Sequence, residues 1–207
     1  PVSWSQRCPP RARRAQRFYK AFVRGACIAT TARTAALVKL TENAYRDTNI
    51  AFANELSLIC ERHAINVWEV IDLANRHPRV NVLRPGPGVG GHCIAVDPWF
   101  IIDSAPDLAR IMRTSRDVND YKTTFIIERT IALIEDHPYA NVACLGLTFK
   151  ANVDDLRESP ALEIALHLAK KYGARIKIVE PNIRELPSAF CGYGVELLDV
   201  DEAVRGC

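Results

Sequence analysis

The sequence has no apolar run close to the roughly 20 residues that span a bilayer, and its first residues lack a signal-peptide core. It also lacks Cys-x-x-Cys and His-x-x-x-His spacings, so no zinc site is indicated. Its seven cysteines are odd in number and widely separated, which argues against a disulfide framework. These absences favour a cytoplasmic protein with reduced thiols.

A strong charge of either sign is absent as well. The formal net charge is +3 over 207 residues, which gives no reason to expect a nucleic-acid or membrane partner. The basic residues that crowd the first two dozen positions are interpreted as a solvated helix face. A hydrophobic content of 48% suits a globular protein with one large domain or two small ones.

Glycine and proline are absent over residues 34–63, where apolar side chains recur at helical spacing. This pattern predicts one helix of about 45 Å at 1.5 Å per residue. Such a helix is expected to cross between domains or to pack against a second copy of the chain. A helix over 11–24 and a buried strand over 26–29 are predicted before it.

The second half of the chain alternates between helical and strand patterns. A buried strand, a helix and a second strand follow one another from residue 141, and this βαβ order implies a parallel, Rossmann-like sheet. Open sheets of this kind bind ligands at the carboxyl ends of their strands. The predicted elements are helices over 67–75 (capped by Asn66), 105–117, 120–136 (capped by Asp120) and 160–172 (opened by Ser159), and strands over 142–147 and 174–179.

Four of the ten glycines fall in the segment Gly86-Pro-Gly-Val-Gly-Gly91. The letters fit the dinucleotide fingerprint G-x-G-x-x-G, but that fingerprint follows a strand and opens a helix, and this segment does neither. The glycines and prolines instead predict a stiff loop whose exposed backbone N–H groups can approach a sugar or phosphate closely. The alternative is an inert loop.

Cys93 follows this loop directly, with the ionisable residues His92 and Asp97 nearby. A lone cysteine is more often a small core residue than a nucleophile. Its place at the end of a glycine-rich loop favours the nucleophile here, and the other six cysteines are interpreted as structural. An unrelated cysteine hydrolase stays an alternative, although it would need a histidine base with a partner that orients it.

Four motifs follow one another along the chain in a fixed order. The motifs are Lys39-Leu-x-x-Asn43 at the start of the long helix, Gly-x-Gly-Gly-x-Cys93-x-x-x-Asp97-Pro, Gly146-Leu-Thr-Phe-Lys150, and Asp154-Asp-x-Arg157-Glu-Ser-Pro160.

In this order the motifs resemble the UDP-glucose/UDP-mannosamine dehydrogenase family over about residues 11 to 207. Details such as Thr41-Glu-Asn-Ala-Tyr-Arg46 resemble the UDP-N-acetyl-D-mannosamine branch more than the UDP-glucose branch. The resemblance implies NAD-dependent oxidation of the C6 hydroxyl of a UDP-N-acetylhexosamine to the uronic acid in two hydride transfers. A cysteine would hold the intermediates as a thiohemiacetal and a thioester.

The implied fold class is α/β, with a central long-helix dimerisation domain followed by a Rossmann-like parallel α/β domain. By resemblance, residues 1–33 contain an unmatched start and a remnant of the NAD-binding domain. Residues 34–136 form the central domain with the cysteine loop, and residues 137–207 a truncated UDP-binding domain. We therefore expect a fragment with both nucleotide domains incomplete, poorly active alone, and a homodimer through 34–63.

The resemblance also assigns roles to single residues. Cys93 is the implied nucleophile, Lys39 and Asn43 stabilise oxyanions from one helix face, and Asp97 activates water or orients the lysine. Arg157 is implied to contact a phosphate of NAD, although the residues alone would equally allow a loop ion pair with a neighbouring aspartate. The implied substrate-binding residues are Arg79 (which reaches the partner subunit's substrate; His77 or Arg76 are alternatives), Gly86, Gly88, Gly90, Gly91, Phe149 and Lys150.

Three alternatives to this function stay open at the level of the sequence. The first is a UDP-glucose or UDP-N-acetylglucosamine 6-dehydrogenase, because sugar stereochemistry is read by the shape of a pocket. The second is a non-catalytic oligomerisation fragment built on the long helix. The third is the cysteine hydrolase named above. No metal is implied by any of them.

Overall fold

A computed structural model describes residues 10–205 and 207 of the chain. Residues 1–9, which make up most of the unmatched start, lie outside the described residues. The chain forms two compact units, of which the first ends at Glu42 and the second is Asn43–Cys207. In the described part of the chain, no helix combines the length and the hydropathy that a membrane span requires.

The first unit contains α1 (Pro10–Lys20) and the beginning of α2 (Ala32–Arg62). The hydroxyl of Thr31 accepts the N–H of Thr34 at 3.1 Å and so caps the start of α2. The strand predicted over 26–29 is wrong, because the segment is irregular and its Ile28 is 85% exposed. A short apolar run forms a strand only where a second strand satisfies its backbone, and in the described residues this segment pairs with none.

Two of the predicted helices are confirmed. The long helix is α2, and α3 (Val67–Ala74) begins after Asn66, whose side chain accepts the N–H of Trp68 at 3.0 Å. A short helix that was not predicted, α4 (Asp97–Ser104), has proline in its first turn.

The break predicted between helices 105–117 and 120–136 is wrong, because α5 (Arg110–Asp136) is continuous. Asp120 is a favourable capping residue by type, but here it lies in mid-helix. Its carboxylate pairs with Arg116 one turn earlier, so it has a partner without ending the helix.

The predicted parallel sheet is confirmed, with one strand more than predicted. Its strands are β1 (Val142–Leu145), β2 (Ile176–Val179) and β3 (Glu196–Leu197), in that spatial order. Both pairs are parallel, with Cys144 opposite Ile178 and Ile178 opposite Leu197. The hydroxyl of Ser159 accepts the N–H of Leu162 at 3.4 Å and caps the helix between the first two strands. That helix is α6 (Pro160–Tyr172), and α7 (Val200–Arg205) follows the last strand, with single helical turns at Gly173–Arg175 and Ser188–Phe190.

One hydrophobic core joins the sheet to the helices around it. Ile176 and Ile178 of β2 pack with Leu168 of α6, and Ile134 from the end of α5 enters the same core. Because α5 begins beside α2 and ends in this core, it connects the two halves of the second unit.

Polar side chains fill the interface between α2 and α5. Asp47 is 0% exposed and accepts hydrogen bonds from Arg116 Nη1 at 2.7 Å and Asn119 Nδ2 at 2.8 Å. Asn54, also 0% exposed, donates from Nδ2 to Asn119 Oδ1 at 2.9 Å. Buried groups of this kind need such partners, because each unmet bond costs free energy. We call Asp47, Asn54, Arg116 and Asn119 the α2–α5 polar layer.

The polar layer predicts that loss of a buried ion pair lowers the free energy of unfolding much more than loss of an exposed one. Asp47→Ala leaves the buried Arg116 guanidinium with Asp120 as its remaining carboxylate, so the free energy of unfolding should fall by about 3 kcal/mol in urea titrations. The control is Glu61→Ala, which removes a more exposed carboxylate that pairs with Arg129 at 2.9 Å and should cost less than about 1 kcal/mol. Equal losses in the two variants would contradict the prediction.

Candidate active site

The glycine loop, residues 86–91, starts against side chains of α2 and α5. The backbone N–H of Gly86 donates to Asn54 Oδ1 at 2.9 Å. The hydroxyl of Thr123 donates to the carbonyl of Pro87, also at 2.9 Å. Two consecutive loop residues are therefore held by buried side chains on two different helices.

The end of the loop lies against the segment that precedes α6. The N–H of Gly91 donates to the carbonyl of Arg157 at 3.1 Å. A Cβ atom on Gly90 would lie 2.5 Å from the carbonyl oxygen of Glu158, and one on Gly91 would lie 2.8 Å from the Phe149 ring. Gly91 also has a φ of +83°, which other residues rarely adopt. These glycines are required by close packing of the backbone, in agreement with the rejection of the dinucleotide fingerprint.

Cys93 lies in the turn between the glycine loop and α4, and it is exposed. Its carbonyl accepts the N–H of Asp97 at 2.8 Å, at the start of α4. The Asp97 carboxylate in turn accepts a hydrogen bond from the side-chain amide of the buried Asn43 at 2.5 Å. The structure thus joins Asn43 to Asp97 through their side chains, and Cys93 to Asp97 through the backbone of one helical turn.

Lys39, the fourth predicted catalytic residue, belongs to the first compact unit. It is exposed, and its ammonium lies 4.0 Å from the Glu42 carboxylate, a surface pair that contributes little stability. Arg79 is exposed after α3, where its backbone N–H donates to His77 Nδ1 at 3.3 Å. The roles of Lys39 and Arg79 stay predictions.

Arg157 forms the loop ion pair that the sequence allowed. Its Nη2 lies 2.6 Å from Asp155 Oδ2, and its Nε lies 2.9 Å from Oδ1. The side-chain hydrogen bond with Arg157 lowers the pKa of Asp155 to about 2. The same hydrogen bond raises the pKa of Arg157. Its contact with NAD stays a prediction.

Glu180 follows β2 and holds the segment that follows β1. One carboxylate oxygen accepts the backbone N–H groups of Leu147 and Thr148 at 2.8 and 3.1 Å. The other accepts the backbone and side-chain N–H groups of Asn182 at 3.0 and 2.8 Å. Burial alone raises the pKa of Glu180, but these hydrogen bonds outweigh it and lower the pKa to about 2. The carboxylate is therefore ionised at neutral pH.

Phe149 and Lys150, two predicted substrate-binding residues, come directly after that anchored stretch. The N–H of Phe149 donates to the carbonyl of Asp155 at 3.2 Å, while its ring lies where a side chain on Gly91 would be. Lys150 is exposed, and its carbonyl accepts the hydroxyl of Thr148 at 3.0 Å. Phe149 therefore joins the glycine loop to the sheet.

Three residues that shape this site were not predicted as site residues: Asn54, Thr123 and Glu180. A signal for the first was present, because Asn43, Asp47 and Asn54 share one face of α2 at spacings of four and seven. Polar residues on the buried face of a helix are retained where they have partners. For Thr123, nothing in the local pattern distinguished it from Thr124 beside it.

Two models of one protein family match the chain. Residues 33–121 match the central domain of the UDP-glucose/GDP-mannose dehydrogenase family. Residues 143–207 match the UDP binding domain of the same family. The first match contains Asn43, Cys93 and Asp97, and the second contains the segment from Phe149 to Glu180.

Similar proteins have related names. An NDP-N-acetyl-D-galactosaminuronic acid dehydrogenase from Ralstonia nicotianae is 57% identical over 92% of this chain and 44% of its own length. A UDP-N-acetyl-D-mannosamine dehydrogenase from Escherichia coli is 54% identical over 92% of this chain and 47% of its own length. A structure of the UDP-N-acetyl-mannosamine dehydrogenase from Staphylococcus aureus matches with a TM-score of 0.77 and 43% sequence identity. The match covers 93% of this chain and 44% of that one. The chain thus spans less than half of these relatives.

Glu180 predicts a specific dependence of stability on pH. Its folded pKa of about 2 lies below the ordinary value of 4.5, so its stabilising contribution is complete above about pH 4.5 and is lost as the pH falls toward about 2. Glu180→Gln should lower the free energy of unfolding by roughly 1.5 to 3 kcal/mol at pH 7. Urea titrations between about pH 6 and pH 3 should show this difference narrowing as the pH falls.

The matched control is Glu185→Gln, which alters an exposed glutamate in the loop after β2. Its stability should stay within about 0.5 kcal/mol of the wild type throughout that range. A deficit of Glu180→Gln that is constant with pH would show that the carboxylate of Glu180 gains nothing from being ionised.

Proposed function

The chain belongs to the UDP-glucose/GDP-mannose dehydrogenase family, and on that premise we propose that it is part of an NAD-dependent UDP-sugar 6-dehydrogenase. The proposed reaction oxidises the C6 hydroxyl of a UDP-N-acetylhexosamine to a carboxylate. The names of the relatives, which specify N-acetylgalactosaminuronic acid and N-acetylmannosamine, support an N-acetylhexosamine over glucose. We take UDP-N-acetyl-D-mannosamine as the substrate to test.

The observation that carries this proposal is the grouping of Cys93, Asp97 and Asn43. An exposed thiol stands at the end of a tightly packed glycine loop, and the carboxylate one helical turn later accepts a hydrogen bond from a buried amide. Such a set supplies a nucleophile, a carboxylate that can hold water and an amide donor for an oxyanion. An oligomerisation fragment has no need of this arrangement.

Each of these residues has one task in the proposed mechanism. The thiolate of Cys93 adds to the C6 aldehyde, and a C–S bond forms while the carbonyl oxygen takes the negative charge. The second N–H of the Asn43 amide, beyond the one given to Asp97, is available to that oxygen. After the second oxidation, Asp97 holds the water that attacks the thioester and takes its proton, and the thiol leaves as the acid forms.

NAD, when bound, supplies the acceptor for the hydride in both oxidations. The described residues fit such a group at one point, because Arg157 presents an exposed guanidinium and its backbone carbonyl accepts the N–H of Gly91, two residues before Cys93. A planar guanidinium can grip a phosphate through two parallel hydrogen bonds. Asp155 keeps this group oriented before any ligand binds.

We also propose a homodimer in which copies of α2 pair. Tyr45, Phe52 and Ile59 recur every seven residues on this helix and are 70%, 57% and 51% exposed. Large apolar side chains at heptad spacing are the pattern by which helices associate.

The activity of the 207-residue chain by itself is expected to be very low. Its matched domains are the central and UDP-binding domains, so we propose that firm binding of NAD needs a further domain. Incubation with NAD and UDP-N-acetyl-D-mannosamine should give no more NADH than the Cys93→Ala variant does, measured by absorbance. The complete E. coli relative is the positive control; robust turnover by the chain alone would contradict this expectation.

Thiol labelling tests the proposed site without requiring turnover. Iodoacetamide followed by peptide mass mapping should show Cys93 reacting fastest, and a saturating UDP-sugar should slow it about tenfold. Cys191, which is exposed outside the proposed site, serves as the internal reference and should be unaffected. Equal rates at the two cysteines with and without the UDP-sugar would overturn the proposed role of Cys93.

A further inference from the structure

We infer that Asn54 and Thr123 are positioning residues that hold the glycine loop, and through it Cys93, against α2 and α5. Neither residue touches the proposed reacting atoms. Both act on the backbone of the loop, at the N–H of Gly86 and the carbonyl of Pro87. The inference rests on the proposed function of Cys93.

Asn54 is the only member of the α2–α5 polar layer that bonds the loop among the described contacts. Its Oδ1 accepts from Gly86 while its Nδ2 donates to Asn119 Oδ1. Asn119 then donates to Asp47. This sequence of bonds fixes which way the Asn54 amide points, because the reversed amide would oppose Gly86 with a donor. The loop therefore meets an acceptor whose orientation is set within the helix pair.

Thr123 holds the next part of the loop by two kinds of contact. Its hydroxyl donates to the carbonyl of Pro87 at 2.9 Å. The same oxygen lies in the space that a Cβ on Gly88 would enter, and Gly88 has a φ of +145°. The threonine thus binds one loop residue and packs directly against the next, which leaves the backbone little freedom to shift toward α5.

The hydrogen bonds from Asn54 and Thr123 matter because the loop has no regular secondary structure of its own. Residues 84–90 form neither helix nor strand, and α4 begins only at Asp97. Among the described contacts, the backbone of the loop is held by hydrogen bonds at three residues: Gly86, Pro87 and Gly91. A displacement of about 1 Å at a reacting group can cost roughly 100-fold in rate, so the anchors can affect chemistry without taking part in it.

The Thr123→Val substitution removes the hydroxyl while keeping the shape of the side chain. We expect the amides of Gly86 and Gly91, neither of which bonds Thr123, to exchange hydrogen about fivefold faster in the 207-residue chain. The concentration of UDP-N-acetyl-D-mannosamine that half-protects Cys93 from iodoacetamide should rise by a similar factor. Thr123→Ser retains the hydroxyl and should restore both quantities to near the wild-type values.

The matched control is Thr48→Val, the same change at another point where α2 meets α5. Thr48 accepts a hydrogen bond from the hydroxyl of Ser115, which also reaches the carbonyl of Ile111. The Ser115 hydroxyl therefore keeps an acceptor when Thr48 is replaced. This variant should leave amide exchange and half-protection unchanged. A purely structural role for Thr123 would lower the thermal stability of Thr123→Val and leave its half-protecting concentration at the wild-type value.

The outcomes separate the inference from the proposed function. Unchanged exchange at Gly86 and Gly91 in Thr123→Val overturns the inference, as does faster exchange with unaltered half-protection. If the UDP-sugar fails to protect Cys93 in the wild type, the proposed function fails instead, and amide exchange still decides whether Thr123 anchors the loop. Failure of Thr123→Ser to restore the wild-type rates of amide exchange would also contradict the proposed role of the hydroxyl group.

Discussion

The backbone at Gly88, Gly90 and Gly91 passes between α5 and the start of α6 where no Cβ atom fits. Thr123 closes one side, while Phe149 and the carbonyl of Glu158 close the other. Glycine is often associated with flexibility, but here hydrogen is the only substituent that the packing admits. The loop is therefore shaped by its neighbours. The position of Cys93 depends on those neighbours more than on the loop sequence itself.

The α2–α5 polar layer joins two helices at a high cost in desolvation free energy. Burying a charge pair costs several kcal/mol per ion, and apolar residues of similar volume often serve stability equally well. Moreover, Asp47 Oδ2 and Arg116 Nε are buried without a hydrogen-bond partner. The benefit of the layer lies in direction: its bonds align the two helices and orient Asn54 toward the loop, which an apolar interface could not do.

Local patterns predicted the parts of the fold that depend on local physics. The long helix, the cap at Ser159 and the βαβ order follow from periodicity and capping chemistry within one segment. The strand over 26–29 failed because a strand needs a pairing partner from elsewhere in the chain. The break at Asp120 failed because the capping preference of aspartate was considered without its ion pair to Arg116 one turn earlier. In the site, Cys93 and the glycine loop were visible in sequence. The hydrogen bonds by which Asn54, Thr123 and Glu180 hold the glycine loop and the segment after β1 cross more than 30 positions, so these partners could not be predicted from neighbouring residues.

The segment after β1 and the thiol turn share a single set of contacts. Glu180 holds the amides just before Phe149, the ring of Phe149 lies against Gly91, and the N–H of Gly91 bonds the carbonyl of Arg157. A shift of any one of these groups would displace the next group or leave it without its contact partner. A ligand that contacts the segment at Phe149 and a carbonyl that reacts with Cys93 would therefore engage the same ordered unit. Under the proposed function, this packing would couple substrate binding to the reaction at Cys93.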